Sequence, residues 1–425
     1  MNRLRLILAV AAAKLIFLFC RITGSRGSAT PGKYARALCP DVIALLAAKV
    51  KRGMIVVCGT NGKTTTNNLI NATLLQAGYK TVCNNAGANM LNGIAAAFSK
   101  SAGLFGTMKA DYACIEVDEA NLPLLFAQAK PDIIVVTNLF RDQLDRYGEI
   151  DLTAQLLKKA FDMAPEAKLI LNADDPVTSV FGRGRGAAYY GVASDPHMLA
   201  VEEIRDGSNC QLCGAPLRYE YYLYGQIGRY HCPKCGYENP QADYRADGIR
   251  IENGILHFDV RHAGLTVHAE SEVTGLYHVY NMLMAYAALD LLGIDHKSIL
   301  SVLCAQKPEP GRMSRFGIGG KTVYLLLSKN PTGFNQSVTT LINDRREKDV
   351  LLVLNDKPQD GEDISWIWDV DFETMRKADA HHYSVTGTRR FDMYLRLKYA
   401  GYDTDSISVF DKTEEALVAM QESGG

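Results

Sequence analysis

Seven consecutive residues limit the possible folds of this chain more than any other feature in it. Gly59-Thr60-Asn61-Gly62-Lys63-Thr64-Thr65 follows directly on the apolar run Met54–Cys58 and leads into TNNLINATLLQAG, a helical pattern. A short buried strand that enters a helix through a glycine-rich turn aims the turn's backbone N–H groups and the helix N-terminus at one place, where phosphate oxygens bind. Lys63 then reaches the transferable phosphate, and the Thr64 hydroxyl can hold Mg²⁺. Position 57 is Val, so the strict eight-residue phosphate-loop pattern lacks its first glycine. The strand-turn-helix context keeps the ATP reading nonetheless, with Gly59, Thr60, Asn61, Gly62, Lys63, Thr64 and Thr65 as the nucleotide-binding candidates.

Around this turn the pattern alternates. Runs at Lys80–Cys83, Tyr112–Val117, Ile133–Thr137 and Lys168–Asn172 read as further strands, with helical patterns between several of them. That predicts an α/β fold on a mostly parallel sheet. Residues 205–245 interrupt it with Cys, Gly, Pro and Tyr, and a helix resumes around Tyr280–Leu292. QKPEPGR at 306–312 then reads as a Pro-rich joint, after which Thr322–Leu327, Asp349–Asn355 and His382–Thr386 form strands of a smaller α/β, Rossmann-like domain. The expected division is a basic N-terminal segment and joint (1–33), a central P-loop ATP-binding domain (34–305) with an insertion at 205–245, and a C-terminal domain (306–425).

The insertion carries the second strong signal, Cys210-x₂-Cys213-x₁₈-Cys232-x₂-Cys235, with a Gly after each pair. Four thiolates at this spacing form a tetrahedral zinc ribbon. The shell is closed, so the zinc is structural. His231 adjoins the second pair but would be a fifth ligand, and it is read as a surface residue. Six further Cys are scattered singly, which favours reduced thiols and a reducing, cytoplasmic compartment. A net charge of −1 and the absence of a basic stripe beside the ribbon's tyrosines argue against nucleic acid as a partner.

The segment MNRLRLILAVAAAKLIFLFCRI is basic and apolar. Lys14 interrupts the apolar run and no small-residue cleavage site follows, which argues against a signal peptide. The runs on either side are shorter than the ~20 residues a bilayer span needs. Two readings remain: an amphipathic helix on the inner face of the cell membrane, its cations Arg3, Lys14 and Arg21 grouped together, or a helix packed on the protein's own core with its cations reaching out to water.

Taken in order, several segments resemble the Mur ligases, which use ATP to activate a carboxylate as an acyl phosphate. They are the G-T-N-G-K-T-T loop, Glu116 followed by Val-Asp-Glu, Thr137-Asn138-Leu139 before RDQLDRYG, Leu171-Asn172-Ala173-Asp174-Asp175-Pro176, His278-Val279-Tyr280-Asn281 and Gly311-Arg312. The resemblance implies that Glu116 binds Mg²⁺ together with Thr64, that Asn281 approaches the adenine, and that Asn138 and Arg312 belong to the nucleotide site. There are also departures. Gln143 stands where the family usually has a metal-binding His. Lys158 is either the counterpart of the family's carbamylated lysine or an exposed helix lysine. The family's D-x-x-H-N-P becomes Leu326-Leu327-Ser328-Lys329-Asn330-Pro331. The ATP loop opens at residue 59, leaving no room for a UDP-binding domain, so the acceptor is expected to be presented differently.

Within that family the C-terminal wording is similar to the synthetase subunits of lipid II isoglutaminyl synthases: Lys329-Asn330-Pro331-x-Gly333-x-Asn335-Gln336, Leu354-Asn355-Asp356, and Asp360-Gly361-x-Asp363-x-Ser365-Trp366-Ile367-Trp368-Asp369. This implies ATP-dependent amidation of the α-carboxylate of D-Glu in the lipid II stem peptide, with ammonia from a GatD-like glutaminase subunit. Asp363 would complete the partner's Cys-His pair, ahead of Asp360 and Asp356. Without the resemblance the same loop reads as a solvated turn over an aromatic core. Two other functions stay open: a folylpolyglutamate-synthase-like ligase that adds an amino acid, and a membrane-attached ATP-binding scaffold without turnover.

Overall fold

A computed structural model describes residues 2–25, 27–85, 87–140, 150–193, 208–252, 254–307, 312–344, 346–357 and 362–422. Its centre is a nine-stranded sheet built from β1 (Gly53–Cys58), β2 (Thr81–Cys83), β3 (Tyr112–Glu116), β4 (Ile133–Val136), β5 (Lys168–Asn172), β6 (Ala187–Val192), β9 (Tyr244–Glu252), β10 (Ile255–His262) and β11 (Leu265–Ser271). The intervening β7 (Arg218–Tyr224) and β8 (Ile227–His231) form a separate hairpin. The strand order is β11-β10-β9-β6-β5-β4-β1-β3-β2. Every pairing from β2 to β9 is parallel, and β9-β10-β11 finish the sheet antiparallel.

Strand β1 is apolar throughout because both faces of the sheet are covered. Met54, Val56 and Cys58 enter one core layer, and Ile55 and Val57 the other. The chain leaves β1 for β2 and β3 on one side and then crosses to β4 on the other. The loop at the C-terminal end of β1 therefore opens into the crevice at a topological switch point, where open α/β sheets bind ligands.

After residue 312 a hairpin of β12 (Arg312–Ile318) and β13 (Lys321–Leu326) precedes a three-stranded parallel sheet of β14 (Lys348–Val353), β15 (Ala380–Thr386) and β16 (Ile407–Val409), with its own core around Ile367, Phe372 and Val385.

The mostly parallel α/β core agrees with the sequence reading, but two features depart from it. Strands β6 and β9 to β11 were not foreseen, because β6 pairs with β9 across the whole insertion and no local pattern reports such a pairing. The joint that was expected to reach residue 33 is also shorter. Residues from Thr30 are helical (Thr30–Leu38), with Pro31 in the first turn, and Gly32 lies so close to the Asn92 carbonyl that a Cβ would not fit.

Candidate nucleotide site and zinc ribbon

The seven-residue turn runs from β1 into the helix Lys63–Gln76. Gly59 and Gly62 have φ of +115° and +87°. A side chain at Gly59 would strike the Thr137 hydroxyl, and one at Gly62 the Asn281 amide, so both positions require glycine. The loop is clamped from the segment after β4. Asn138 accepts the Asn61 N–H at 2.9 Å and donates its amide to the Asn61 carbonyl at 3.2 Å, while its own carbonyl takes the Thr60 N–H at 2.8 Å. Thr60 exchanges hydrogen bonds with the Phe140 backbone at 3.0 and 3.1 Å. Asn138 therefore shapes the loop.

The Lys63 ammonium folds back over the turn. It donates to the Gly59 carbonyl, to Thr60 O at 3.2 Å and to Glu119 Oε1 at 3.2 Å. Glu119 also accepts the Gly59 N–H at 2.7 Å. Burial pushes its carboxyl up, and the Lys63 ammonium counters that. Glu119 was not among the sequence candidates. The available signal was a second acid just past the strand end, in Glu116-Val-Asp-Glu119.

Glu116, at the C-terminal end of β3, is buried, with its backbone held by Asn84 at 2.8 and 2.9 Å and Oε1 accepting from Asn89 at 3.1 Å. Among the described residues its buried Oε2 has no hydrogen-bond partner. An orphaned carboxylate oxygen beside a phosphate loop is suited to a hard cation. Thr64, in the first turn of the helix, is the second candidate for Mg²⁺.

Asn281 lies on the buried helix Leu276–Leu291 against Gly62, and with Thr65, Val273, Tyr277, His278, Gln306 and Lys307 it lines a cleft beside the turn. The C-terminal part of the chain reaches the same loop. Asn330 caps the helix Pro331–Asn343 by accepting from Gly333 N at 2.8 Å, and its amide donates to Asn61 Oδ1 at 3.0 Å. Arg312 opens β12, and its side chain, like Gln143, lies outside the described residues. Lys158 pairs with Asp162 at 2.8 Å on an exposed helix face, away from these groups.

Asp174 and Asp175 brace the site. Asp174 accepts from Val192 N at 2.7 Å and from the Tyr280 hydroxyl at 2.8 Å, fixing the residue next to Asn281. Asp175 takes the N–H groups of Val177 and Leu139 at 3.0 and 3.3 Å. Burial pushes both carboxyls up to about 6, against hydrogen bonds that lower them. An acid raised in the fold is protonated there at pH values where the unfolded chain has already released its proton. Its contribution to stability therefore falls as pH rises from about 4 to 6, by roughly 2–3 kcal/mol for such a shift. Asp175→Asn should accordingly become less destabilising, relative to wild type, between pH 4 and pH 7 in urea melts. A pH-independent difference would show that Asp175 is already charged at pH 4.

The four ribbon thiols converge as the spacing predicted. Their Sγ atoms all lie within 4.8 Å of one another, with Cys210–Cys235 and Cys213–Cys232 at 3.5 Å. Tetrahedral zinc with Zn–S near 2.3 Å requires separations of about 3.8 Å, so the donor set fits Zn²⁺. Each knuckle turn is closed by a glycine N–H, Gly214 to Cys210 O at 2.8 Å and Gly236 to Cys232 O at 3.0 Å. Although burial raises it, the Cys232 thiol is brought down to about 6 by the N–H groups of Cys235 and Lys234 and by its neighbouring thiols.

The hairpin of β7 and β8 carries this ribbon to the ATP loop. At its tip, Gln226 donates to Leu139 O at 2.6 Å, and the Tyr224 ring lies 5.8 Å from Phe140. At its base, the Tyr230 and Tyr237 hydroxyls meet Ser179 at 2.6 Å. Cys232→Ser should thus release about one zinc per chain, lower the melting temperature and weaken ATP binding, because the ribbon has too small a core to hold the hairpin without its metal. Metal analysis of the intact protein finding no zinc would refute this.

A strand, phosphate-binding turn and helix at a switch point, with a half-buried lysine, paired acids and Asn330 from the C-terminal part of the chain touching the loop, define an ATP-dependent ligase of the Mur type. The Mur ligase middle domain matches residues 57–216, and the MurT ligase C-terminal family matches 327–425. The MurT subunit of lipid II isoglutaminyl synthase from Staphylococcus aureus (strain N315) is 37% identical over 417 residues, 98% of this chain and 93% of that protein. Its Streptococcus pneumoniae (strain ATCC BAA-255 / R6) counterpart is 33% identical over 403 residues, 93% and 87% of the two chains. The chain belongs to the MurT family of Mur ligases. Among solved structures, a pseudomurein peptide ligase type C from Methanothermus fervidus shares the fold with a TM-score of 0.66 at 23% identity, over 90% of this chain and 71% of that one.

Proposed function

We propose that this ligase amidates the α-carboxylate of D-Glu in the lipid II stem peptide, in cell-wall synthesis, with ammonia from a GatD-like glutaminase subunit. The observation that carries the reading is the full-length similarity to MurT subunits, joined to a site in which Lys63, Glu116 and Glu119 converge on one phosphate-binding turn. The division into residues 1–33, 34–305 and 306–425 belongs to the same proposal.

In the proposed reaction the N–H groups at the start of the helix Lys63–Gln76 and the Lys63 ammonium hold the γ-phosphate in line with the acceptor carboxylate. A carboxylate oxygen bonds to phosphorus as ADP departs, giving an acyl phosphate. Neutral ammonia then adds at the acyl carbon, phosphate leaves, and the nitrogen sheds a proton. Glu116 and Thr64 would hold Mg²⁺, which supplies charge neutralisation on the phosphates. Asn281 and the cleft beside it would receive the adenine, and Arg312 and Asn138 complete the nucleotide site.

Partner docking has support in the C-terminal part of the chain as well. Asp363 is half-buried, and Oδ1 accepts from Ser365 N at 2.8 Å, just ahead of the turn Ser365–Asp369. Trp368 in that turn and Phe391, Leu395 and Tyr399 on the helix Arg390–Tyr399 are exposed, with Trp368 and Tyr399 rings 5.7 Å apart. An exposed aromatic patch that includes the turn following a carboxylate suits a subunit that borrows that carboxylate. The aromatic-core reading holds only for Trp366 and Ile367, which face inward.

The test is direct: the chain co-purified with its glutaminase, given ATP, glutamine and lipid II, should convert one carboxyl to an amide by mass. ATP turnover without amide formation, or ligation of an amino acid instead, would overturn the reading.

A further inference from the structure

The N-terminal helix Asn2–Ile22 has two apolar faces, and one is uncovered. Leu6, Ala9, Val10 and Ala13 are buried in the core shared with the helices Thr30–Leu38 and Leu91–Ser101. Leu4, Leu8, Leu15, Leu18, Phe19 and Ile22 are each more than half exposed. At about 100° per residue these six span roughly 100° of arc, opposite the buried face. Arg3, Lys14 and Arg21 fall on one border between the faces and Arg5 on the other. The reading of a helix packed on the protein's own core therefore holds for one face, and the other face is left exposed.

Charge and neighbours point the same way. Residues 1–40 contain seven Lys and Arg and no Asp or Glu, in a chain whose net charge is −1. The turn at 103–106 brings Leu104 and Phe105, 60% and 73% exposed, alongside: Gly106 abuts Leu6, and its carbonyl accepts from Lys49 Nζ at 2.6 Å. Among the described residues no helix is long and apolar enough to cross a membrane. A partner for this face must then lie flat against it, and a second copy would set cations against cations with no carboxylate between them.

We infer that the outward face of Asn2–Ile22, with Leu104 and Phe105, docks on an anionic lipid bilayer. The apolar side chains enter the acyl boundary, and Arg3, Arg5, Lys14 and Arg21 meet the headgroup phosphates. The inference deepens the proposed function and rests on its lipid-linked acceptor, because docking would hold the ligase at the surface where that acceptor's carboxylate lies.

The experiment uses the full chain with its glutaminase and two sets of vesicles, pure phosphatidylcholine and phosphatidylcholine with roughly one-third phosphatidylglycerol. Wild type should sediment with the anionic vesicles about tenfold more strongly than with the neutral ones, and less at high salt. Leu15→Glu/Leu18→Glu should lose that binding by about tenfold or more, as two apolar anchors become anions. Both positions face solvent, so its melting temperature and its turnover of a water-soluble, lipid-free acceptor should match wild type. Wild type ignoring anionic vesicles, or the variant binding like wild type, would overturn the inference. So would a variant that binds normally to lipid but sheds the glutaminase or a second copy. Vesicle binding is read without turnover, so a failure of the proposed reaction remains distinguishable from a failure of the surface.

Discussion

Lys63→Ala should lower acyl-phosphate formation, and amidation with it, by about a thousandfold or more, since an electrostatically held phosphoryl group has few substitutes for its cation. The Lys63 ammonium is confined by two loop carbonyls and Glu119 at a helix N-terminus, which itself favours anions. Removing it also leaves the Glu119 carboxylate, raised by burial, with no cation beside it. Part of any activity loss could thus come from the fold, and a second variant separates the two. Lys63→Ala/Glu119→Gln removes the unpaired buried charge and should regain the melting temperature lost in the single variant while remaining inactive. Acyl phosphate is read as hydroxamate formed with hydroxylamine. A folded Lys63→Ala protein with near-normal hydroxamate yield would place phosphate transfer elsewhere.

Asp363→Asn should divide the two nitrogen sources. If its carboxylate orients the partner's catalytic His and stabilises the imidazolium, glutamine-dependent amidation should fall by roughly 10²–10⁴-fold. Activity with concentrated ammonium at alkaline pH should persist, because the ligase site is untouched. Asparagine is the right replacement on structural grounds. Asp363 Oδ1 accepts the Ser365 N–H, an amide oxygen can do the same, and the turn therefore survives. Equal loss with both nitrogen sources would put Asp363 in the ligase site or the fold. Unchanged glutamine use would shift the assignment to Asp356, which accepts from the Thr388 hydroxyl at 2.8 Å, or to Asp360, outside the described residues.

What could be read from residue order alone were features whose physics is local. A phosphate turn is a strand, two glycines and a lysine within a few positions, and the structure builds it from those same residues. The Cys₄ cluster needs only two CxxC pairs, because each knuckle closes on its own glycine N–H. Apolar runs marked β1, β3, β4 and β5 since strands buried on both faces need no alternation.

Other features depended on contacts between distant segments, about which local sequence carries no signal. Glu119 became part of the site because the chain turns past β3 and lays that acid against Gly59 and Lys63. Asn330 reached Asn61 across 269 positions, Gln226 braced Leu139 across 87, and β6 found β9 beyond the entire ribbon. The two faces of the N-terminal helix look alike in composition. Only packing against Thr30–Leu38 and Leu91–Ser101 distinguishes the one that is buried, because burial is set by which neighbours the fold brings close.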